Sequence, residues 1–138
     1  MPEDKYSFAP TGGEFKGVRT FAEQVKHLAA NNYAMAVYLL LGKPTADQAN
    51  ESGPESVKTK AEVMEYLKGS FAALHKGVAA IDEKNLVDPL AGASKGRLRL
   101  GMETRIGLVV DAIAHSFNHH GQLVEYLRMN GIIPPDSR

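Results

Sequence analysis

Three stretches of this chain repeat their apolar residues at steps of three and four, which is the spacing of one face of an α-helix. The sequences Thr20-Phe21-Ala22-Glu23 and Thr59-Lys60-Ala61-Glu62 form capping boxes, which predict the starts of the first two helices. No segment shows the alternation of a β-strand. We therefore predict an all-α fold, an up-and-down helical bundle.

The ends of the helices are predicted from glycine and proline. The first helix should stop at Gly42, the second near Ile81, and the third should run from about Glu103 to Asn130, before Gly131. The predicted apolar face of the first helix comprises Phe21, Val25, Leu28, Met35 and Leu39. That of the second comprises Val63, Tyr66, Leu67, Phe71, Leu74 and Val78. That of the third comprises Ile106, Val109, Val110, Ile113, Phe117, Val124 and Leu127. Prolines and glycines in residues 82–101 argue against a long helix there, and Leu86-Val87 and Leu98-Arg99-Leu100 are expected to patch the core.

Length and composition exclude several classes of protein. The 138 residues predict a single domain over 1–138, and 43% hydrophobic residues are enough for a core. The chain has 16 basic and 16 acidic residues, so nucleic-acid binding is not expected. It has no cysteine, which rules out disulfides and a protein thiol nucleophile. Without a run of about 18 apolar residues, no membrane span is predicted, and the expected location is the cytoplasm.

The histidines carry the chemistry of this sequence. His115 and His119 stand one helical turn apart, and His27 lies in the first helix. Three neutral imidazoles plus water make an open site for Zn²⁺ or Ni²⁺. The alternative is that they are ordinary hydrogen-bonded or surface residues, since histidine pairs at this spacing are common. His75, beside Lys76, is interpreted as a solvated surface residue.

Polar residues one turn from these histidines are candidates for supporting roles. Asn31 and Gln122 are candidates to accept a hydrogen bond from the second ring N–H of a ligand histidine. Asp111, Glu23 and His120 are candidate general bases. The competing interpretation is that such residues are solvated edge positions of a bundle.

Two motifs together resemble the DinB-like superfamily. The opening motif is Phe8-Ala9-Pro10-Thr11 followed by Phe21-Ala22-Glu23-Gln24-Val25-Lys26-His27-Leu28-Ala29. The closing motif is His115-x-x-x-His119-His120-Gly121-Gln122-Leu123, followed by Leu127-Arg128, Gly131 and Pro134-Pro135. The resemblance implies that His27, His115 and His119 bind a divalent metal.

The sequence departs from the family pattern at two places. His120 stands where the family usually has arginine. Family members also carry another long helix ahead of the Pro-Thr motif, whereas this chain begins just before it. The resemblance thus implies a bundle lacking its usual N-terminal helix. Residues 82–101 or a partner in a homodimer would then cover the exposed apolar side, unless the chain is a truncated form.

The resemblance implies a metal site but several functions. Characterised relatives include bacillithiol transferases and mycothiol-dependent isomerases, so transfer to or from a low-molecular-weight thiol, acting on a small-molecule substrate, is the first expectation. Metal-assisted hydrolysis is the second. The alternative is a non-catalytic dimeric module, of stress-response or binding type, with a structural or vestigial metal site.

Overall fold

Three long helices form the protein in a computed structural model that describes residues 1–13, 16–40, 44–46, 48–90 and 101–137. They are α1 (Phe21–Leu40), α2 (Lys60–Ala79) and α3 (Arg105–Met129), with short 3₁₀ turns at Glu3–Lys5 and Pro135–Ser137. Across those ranges there is no strand, only an isolated bridge between Pro89 and Thr104. The all-α prediction is confirmed. No described helix is both long and apolar enough to cross a membrane.

The capping boxes predicted at the starts of α1 and α2 are both formed. At α2, Thr59 Oγ1 accepts a hydrogen bond from Glu62 N at 3.3 Å, and Glu62 Oε2 accepts one from Thr59 N at 2.8 Å. The box at Thr20 and Glu23 has the same two bonds, at 3.2 and 2.7 Å. Each box satisfies backbone donors that the first helical turn leaves without carbonyl partners.

The ends of the helices agree with the sequence where they are described. Thr104 caps α3, its hydroxyl accepting from Gly107 N at 3.2 Å, so the helix begins slightly later than Glu103. Gly131 ends it with a φ of +70°, a conformation that favours glycine. The predicted stop of α1 at Gly42 lies outside the described residues.

Helix α1 is the central element, because it packs against both α2 and α3. The core has two clusters. One contains Met35, Leu39, Leu74, Leu90, Leu108 and Ala112, and the other contains Tyr6, Phe21, Val25, Val63 and Tyr126. The second cluster ties the N-terminal segment to the far end of α3, which fixes α3 against α1 at both ends of the bundle. Packing at both ends brings side chains from α1 and α3 together between the two clusters.

A buried polar contact lies between α1 and α2. Asn32 and Ser70 are both fully buried, and Asn32 Nδ2 donates to Ser70 Oγ at 3.3 Å. Ser70 in turn donates to the carbonyl of Leu67 at 2.7 Å. Asn32 is the one polar residue in register with the apolar face of α1, and Ser70 supplies a partner for its amide nitrogen.

Only part of the apolar face predicted for α3 packs on the bundle, since Val109 and Leu127 lie against the two core clusters. The buried residues of α3 are Leu108, Ala112, His119 and Tyr126. Four members of the predicted stripe are exposed instead, namely Ile106, Val110, Ile113 and Phe117. A helix of this length carries apolar residues on more than one side, and the histidine side is the one in contact with α1.

The connection after α2 differs in part from expectation. Leu86 is half-buried, but Val87 is 68% exposed, so the expected core patch at Leu86-Val87 is wrong for Val87. Leu90 is buried in its place, its N–H donating to the carbonyl of Glu103 at 2.7 Å. The other expected patch, Leu98 to Leu100, lies outside the described residues.

Candidate metal centre

Three histidines from two helices converge at the α1–α3 contact. His27 comes from α1, and His115 and His119 come from successive turns of α3. One ring nitrogen from each lies within 4.8 Å of the others, and the imidazole centroids are 4.3 to 5.3 Å apart. His119 Nε2 and His115 Nε2 are 3.1 Å apart. Two nitrogens bound tetrahedrally to zinc would be separated by about 3.3 Å, so this pair already has nearly that spacing.

His27 is oriented by the loop between α1 and α2. Its Nδ1 lies 2.8 Å from the carbonyl oxygen of Glu51. A carbonyl oxygen only accepts hydrogen bonds, so Nδ1 carries the proton and Nε2 keeps its lone pair. Asn31 lies against the same ring, with Nδ2 at 3.3 Å from both ring nitrogens, and donates to the His27 carbonyl at 3.0 Å.

The surroundings favour the uncharged form of His27 and His119. Burial lowers the pKa of His27 below its ordinary value, with the nearby Arg19 charge acting in the same direction. His119 is 8% exposed, and burial, followed by the charges of His115, His27 and Arg19, lowers its pKa to about 4. Neutral imidazole is the form that binds metal ions, because protonation removes the lone pair.

The histidines open onto a cleft of about 390 Å³. Its wall includes Arg19, Glu51, Asp111 and Asn118. Arg19 Nη2 lies 3.9 Å from Glu51 Oε2, and the side chains are 39% and 70% exposed. The cleft therefore places a cation and two carboxylates around three imidazoles.

A second cleft, of about 310 Å³, adjoins the first. The two share Asn31, Glu51, Asp111 and His115. The second is lined in addition by larger apolar side chains, including Met35, Tyr38, Met102 and Leu108. A small molecule with an apolar body could thus lie beside the histidines while its polar end faces them.

Comparison with known families identifies the chain. The family model described as the DinB superfamily matches residues 1–123, which include all three histidines. The chain belongs to the DinB superfamily. No curated protein and no solved structure matches it.

The donor set of this DinB-superfamily protein suits a divalent metal ion. Three imidazoles in one open cleft leave coordination positions for water or a substrate, which is the arrangement of catalytic rather than structural zinc sites. The Glu51 carbonyl at His27 is the kind of outer partner that ligand histidines use. His119 Nδ1 is buried without a hydrogen-bond partner among the described residues, so its ring, unlike that of His27, has no outer partner there.

The remaining sequence-predicted residues of the DinB protein are distributed unevenly around the centre. Asp111 lines both clefts beside His115, and Asn31 contacts His27. Gln122 accepts from Gln24 Nε2 and donates to Asn118 at 2.5 Å, so it reaches the site through Asn118. The Glu23 carboxylate is held in the capping box of α1, where the Thr20 backbone N–H lowers its pKa.

Two further histidines lie away from the cleft wall. His120 is exposed and is not among the residues lining the two clefts. His75 on α2 is also exposed, as expected for a solvated residue.

Sequence reasoning missed Arg19, Glu51 and Asn118. Glu51 sits in a loop with no periodicity, and its contribution is a backbone carbonyl, which no side-chain pattern reveals. Arg19 and Asn118 did have a local signal. Arg19 directly precedes the capping box that positions His27, and Asn118 lies three residues after His115 on the same helix.

Proposed function

We propose that this protein is a metal-dependent enzyme in which His27, His115 and His119 hold Zn²⁺ or Ni²⁺. The observation that carries the proposal is the convergence of three imidazoles, with two Nε2 atoms 3.1 Å apart, at the wall of an open cleft. The favoured reaction is group transfer involving a low-molecular-weight thiol, and metal-assisted hydrolysis is the runner-up.

When bound, the dication would supply a Lewis-acid position that favours the thiolate of a small thiol at neutral pH, or else lowers the pKa of a water molecule. The chain has no cysteine, so a thiol would have to come from a small-molecule partner. Glu51 would hold His27 in the required tautomer through its carbonyl. The apolar walls at Met35, Tyr38 and Met102 would bind the electrophile and keep water from it.

Asp111 is the best-placed general base. It lines both clefts beside His115, at the junction between the histidines and the apolar walls. A carboxylate there can accept the proton that a thiol or a water molecule loses. Glu23 and His120, the other candidates, do not line either cleft.

The experiment that tests the enzymatic proposal is a turnover screen of the zinc- and nickel-loaded protein. It would combine small thiols with electrophiles, and esters or amides for hydrolysis. Activity that disappears in Asp111→Asn, with metal content and folding retained, would support the proposal. Activity in neither screen would favour the non-catalytic alternative.

A homodimer is the second part of the proposal, supported by an uncharged outer face of α3. Ile106, Val110, Ile113 and Phe117 are exposed, and α3 has no Asp, Glu, Lys or Arg between Asp111 and Glu125. Apolar patches depleted of charge are typical of interface centres. A net charge of zero also puts no overall repulsion between two copies.

The same face borders a groove that a second copy can fill. Between α2 and α3 lies a largely apolar groove of about 340 Å³, lined by Phe71, Leu74, Val78, Val109, Ile113 and Phe117. In a two-fold pair each α3 would lay its exposed stripe along the groove of its partner. Sedimentation at micromolar protein tests this arrangement, and a monomer would contradict it.

In the non-catalytic alternative, the same metal ion and the same dimer serve only to stabilise the fold and the assembly. It predicts that removing the histidines causes unfolding or dissociation rather than loss of turnover. A cytoplasmic location and a small-molecule substrate also remain predictions of this proposal.

A further inference from the structure

Arg19 is the one cationic side chain lining the histidine cleft among the described residues. It lines the same cleft as His27 and His119. A dication held by those histidines would be repelled by the guanidinium, so Arg19 costs metal affinity unless an anion lies between them. Glu51 and Asp111 on the same wall offset part of this charge, and an anionic ligand bound to Arg19 would offset more of it.

The backbone of Arg19 is fixed in place. Its carbonyl accepts a hydrogen bond from the Tyr126 hydroxyl at 2.7 Å, and Tyr126 is only 5% exposed. Tyr126 packs edge-on against Phe8, with ring centroids 5.9 Å apart. The next residue, Thr20, begins the capping box of α1. The arginine is thus held between α1 and α3 at the rim of the cleft, where its side chain can reach a ligand.

The existing partner of Arg19 is weakly held. Its ion pair with Glu51 has a nitrogen–oxygen distance of 3.9 Å, longer than a hydrogen bond, and the Glu51 side chain is 70% exposed. Exposed ion pairs of this kind contribute little to stability, because water screens the two charges. A carboxylate inside the cleft could form a two-pronged contact with the planar guanidinium and replace Glu51 at little cost.

We infer that Arg19 anchors the carboxylate of an acidic small-molecule thiol whose sulfur end faces His27, His115 and His119. The inference rests on the proposed function and names the chemical class of its thiol partner. Asn118 on the same wall adds an amide group near the anchor. Glu51 acts as a competitor that occupies Arg19 when the ligand is absent.

The test compares two thiols of matched size, 3-mercaptopropionate and its neutral amide, 3-mercaptopropionamide. Each is titrated calorimetrically into the zinc-loaded protein after its zinc content has been measured. We expect the acid to bind roughly tenfold more tightly than the amide, the preference that one charge-assisted contact provides. In Arg19→Gln the two affinities should become equal, and Arg19→Lys should retain part of the preference.

Glu51→Gln is a control that should change affinity for the acid in the opposite direction to Arg19→Gln. The substitution removes the competing carboxylate but keeps the backbone carbonyl that holds His27. It should strengthen binding of the acid and leave binding of the amide unchanged.

The outcomes separate this inference from the proposed function. A preference for the acid that persists in Arg19→Gln would show that its carboxylate binds the metal directly, which overturns the role of Arg19. Equal binding of both thiols by the wild type would overturn it too, while leaving a thiol-binding metal centre intact. If the protein holds no zinc, or if neither thiol binds to it, the thiol-transfer proposal and this inference are both overturned.

Discussion

Asn31 and His27 lie one turn apart on α1, and the Asn31 amide nitrogen is 3.3 Å from both ring nitrogens of His27. The same amide donates to the His27 carbonyl at 3.0 Å. With the Glu51 carbonyl bound to Nδ1 at 2.8 Å, the ring is restrained by the loop and by its own helix. The first ligand of the proposed centre is therefore oriented before any ion binds.

Replacing Asn31 should weaken metal binding more than it weakens the fold. We expect Asn31→Ala to lower zinc affinity by roughly 10-fold, the lower end of the range for outer partners of ligand histidines. Competition with a chromophoric chelator measures the change. Gln122→Ala is the matched comparison, because Gln122 reaches the site only through Asn118. An equal loss of zinc affinity in both variants would contradict a specific role for the contact between Asn31 and His27.

The buried pair between α1 and α2 should matter for stability alone. Ser70→Ala removes the acceptor of Asn32 Nδ2 in a fully buried position, which should cost about 1–3 kcal/mol in the free energy of unfolding. Urea unfolding measures it. Ser116→Ala on α3 is the control, since that hydroxyl bonds only within its own helix, to Ala112 O at 2.8 Å. A loss below about 0.5 kcal/mol in Ser70→Ala would show that the pair contributes little.

The metal-free protein should lose stability in mild acid. The pKa of His119 falls from its ordinary value of 6.5 to about 4 in the folded state, so the unfolded chain takes up the proton first. Stability from this group is complete above pH 6.5 and declines as the pH falls from 6.5 towards 4. The decline should reach on the order of 3 kcal/mol.

Urea unfolding of the metal-free protein at a series of pH values measures this effect. His119→Gln, which does not titrate in this range, should show a flatter profile than the wild type. Parallel profiles for the two proteins would mean that His119 is not the group responsible.

The exposed side of α3 should control the oligomeric state. Phe117 is 72% exposed and borders the groove between α2 and α3, so Phe117→Glu should convert the proposed dimer to a monomer. Sedimentation equilibrium measures this directly. Val87→Glu, at an equally exposed apolar position away from that groove, should remain dimeric. A dimer unaffected by Phe117→Glu would place the interface on another surface.

Much of the fold could be predicted because its determinants are local. The Thr20–Glu23 and Thr59–Glu62 boxes and Gly131 act within one helical turn, so they can be recognised in the sequence. The face of α3 that packs could not be chosen locally. Apolar residues occur on two of its sides, and only contact with α1 selects the side carrying His119 and Tyr126.

The candidate site likewise combines residues that the sequence could predict with residues that it could not. His115 and His119 were found because one helix brings both to one face, and His27 was proposed from its place in the first helix before the family motif supported it. The Glu51 carbonyl and the Arg19 guanidinium were missed because loop geometry brings them to the cleft. Such tertiary contributions leave little trace in spacing or composition.

The central claim is that His27, His115 and His119 bind one divalent metal ion. It is tested most directly by elemental analysis of the purified protein beside a His115→Ala/His119→Ala variant, with His75→Ala as the control for an exposed histidine outside the clefts. The account predicts near-stoichiometric zinc or nickel in the wild type and in His75→Ala, and its loss in the double variant. Absence of metal from the wild type, even after incubation with zinc or nickel, would contradict the account.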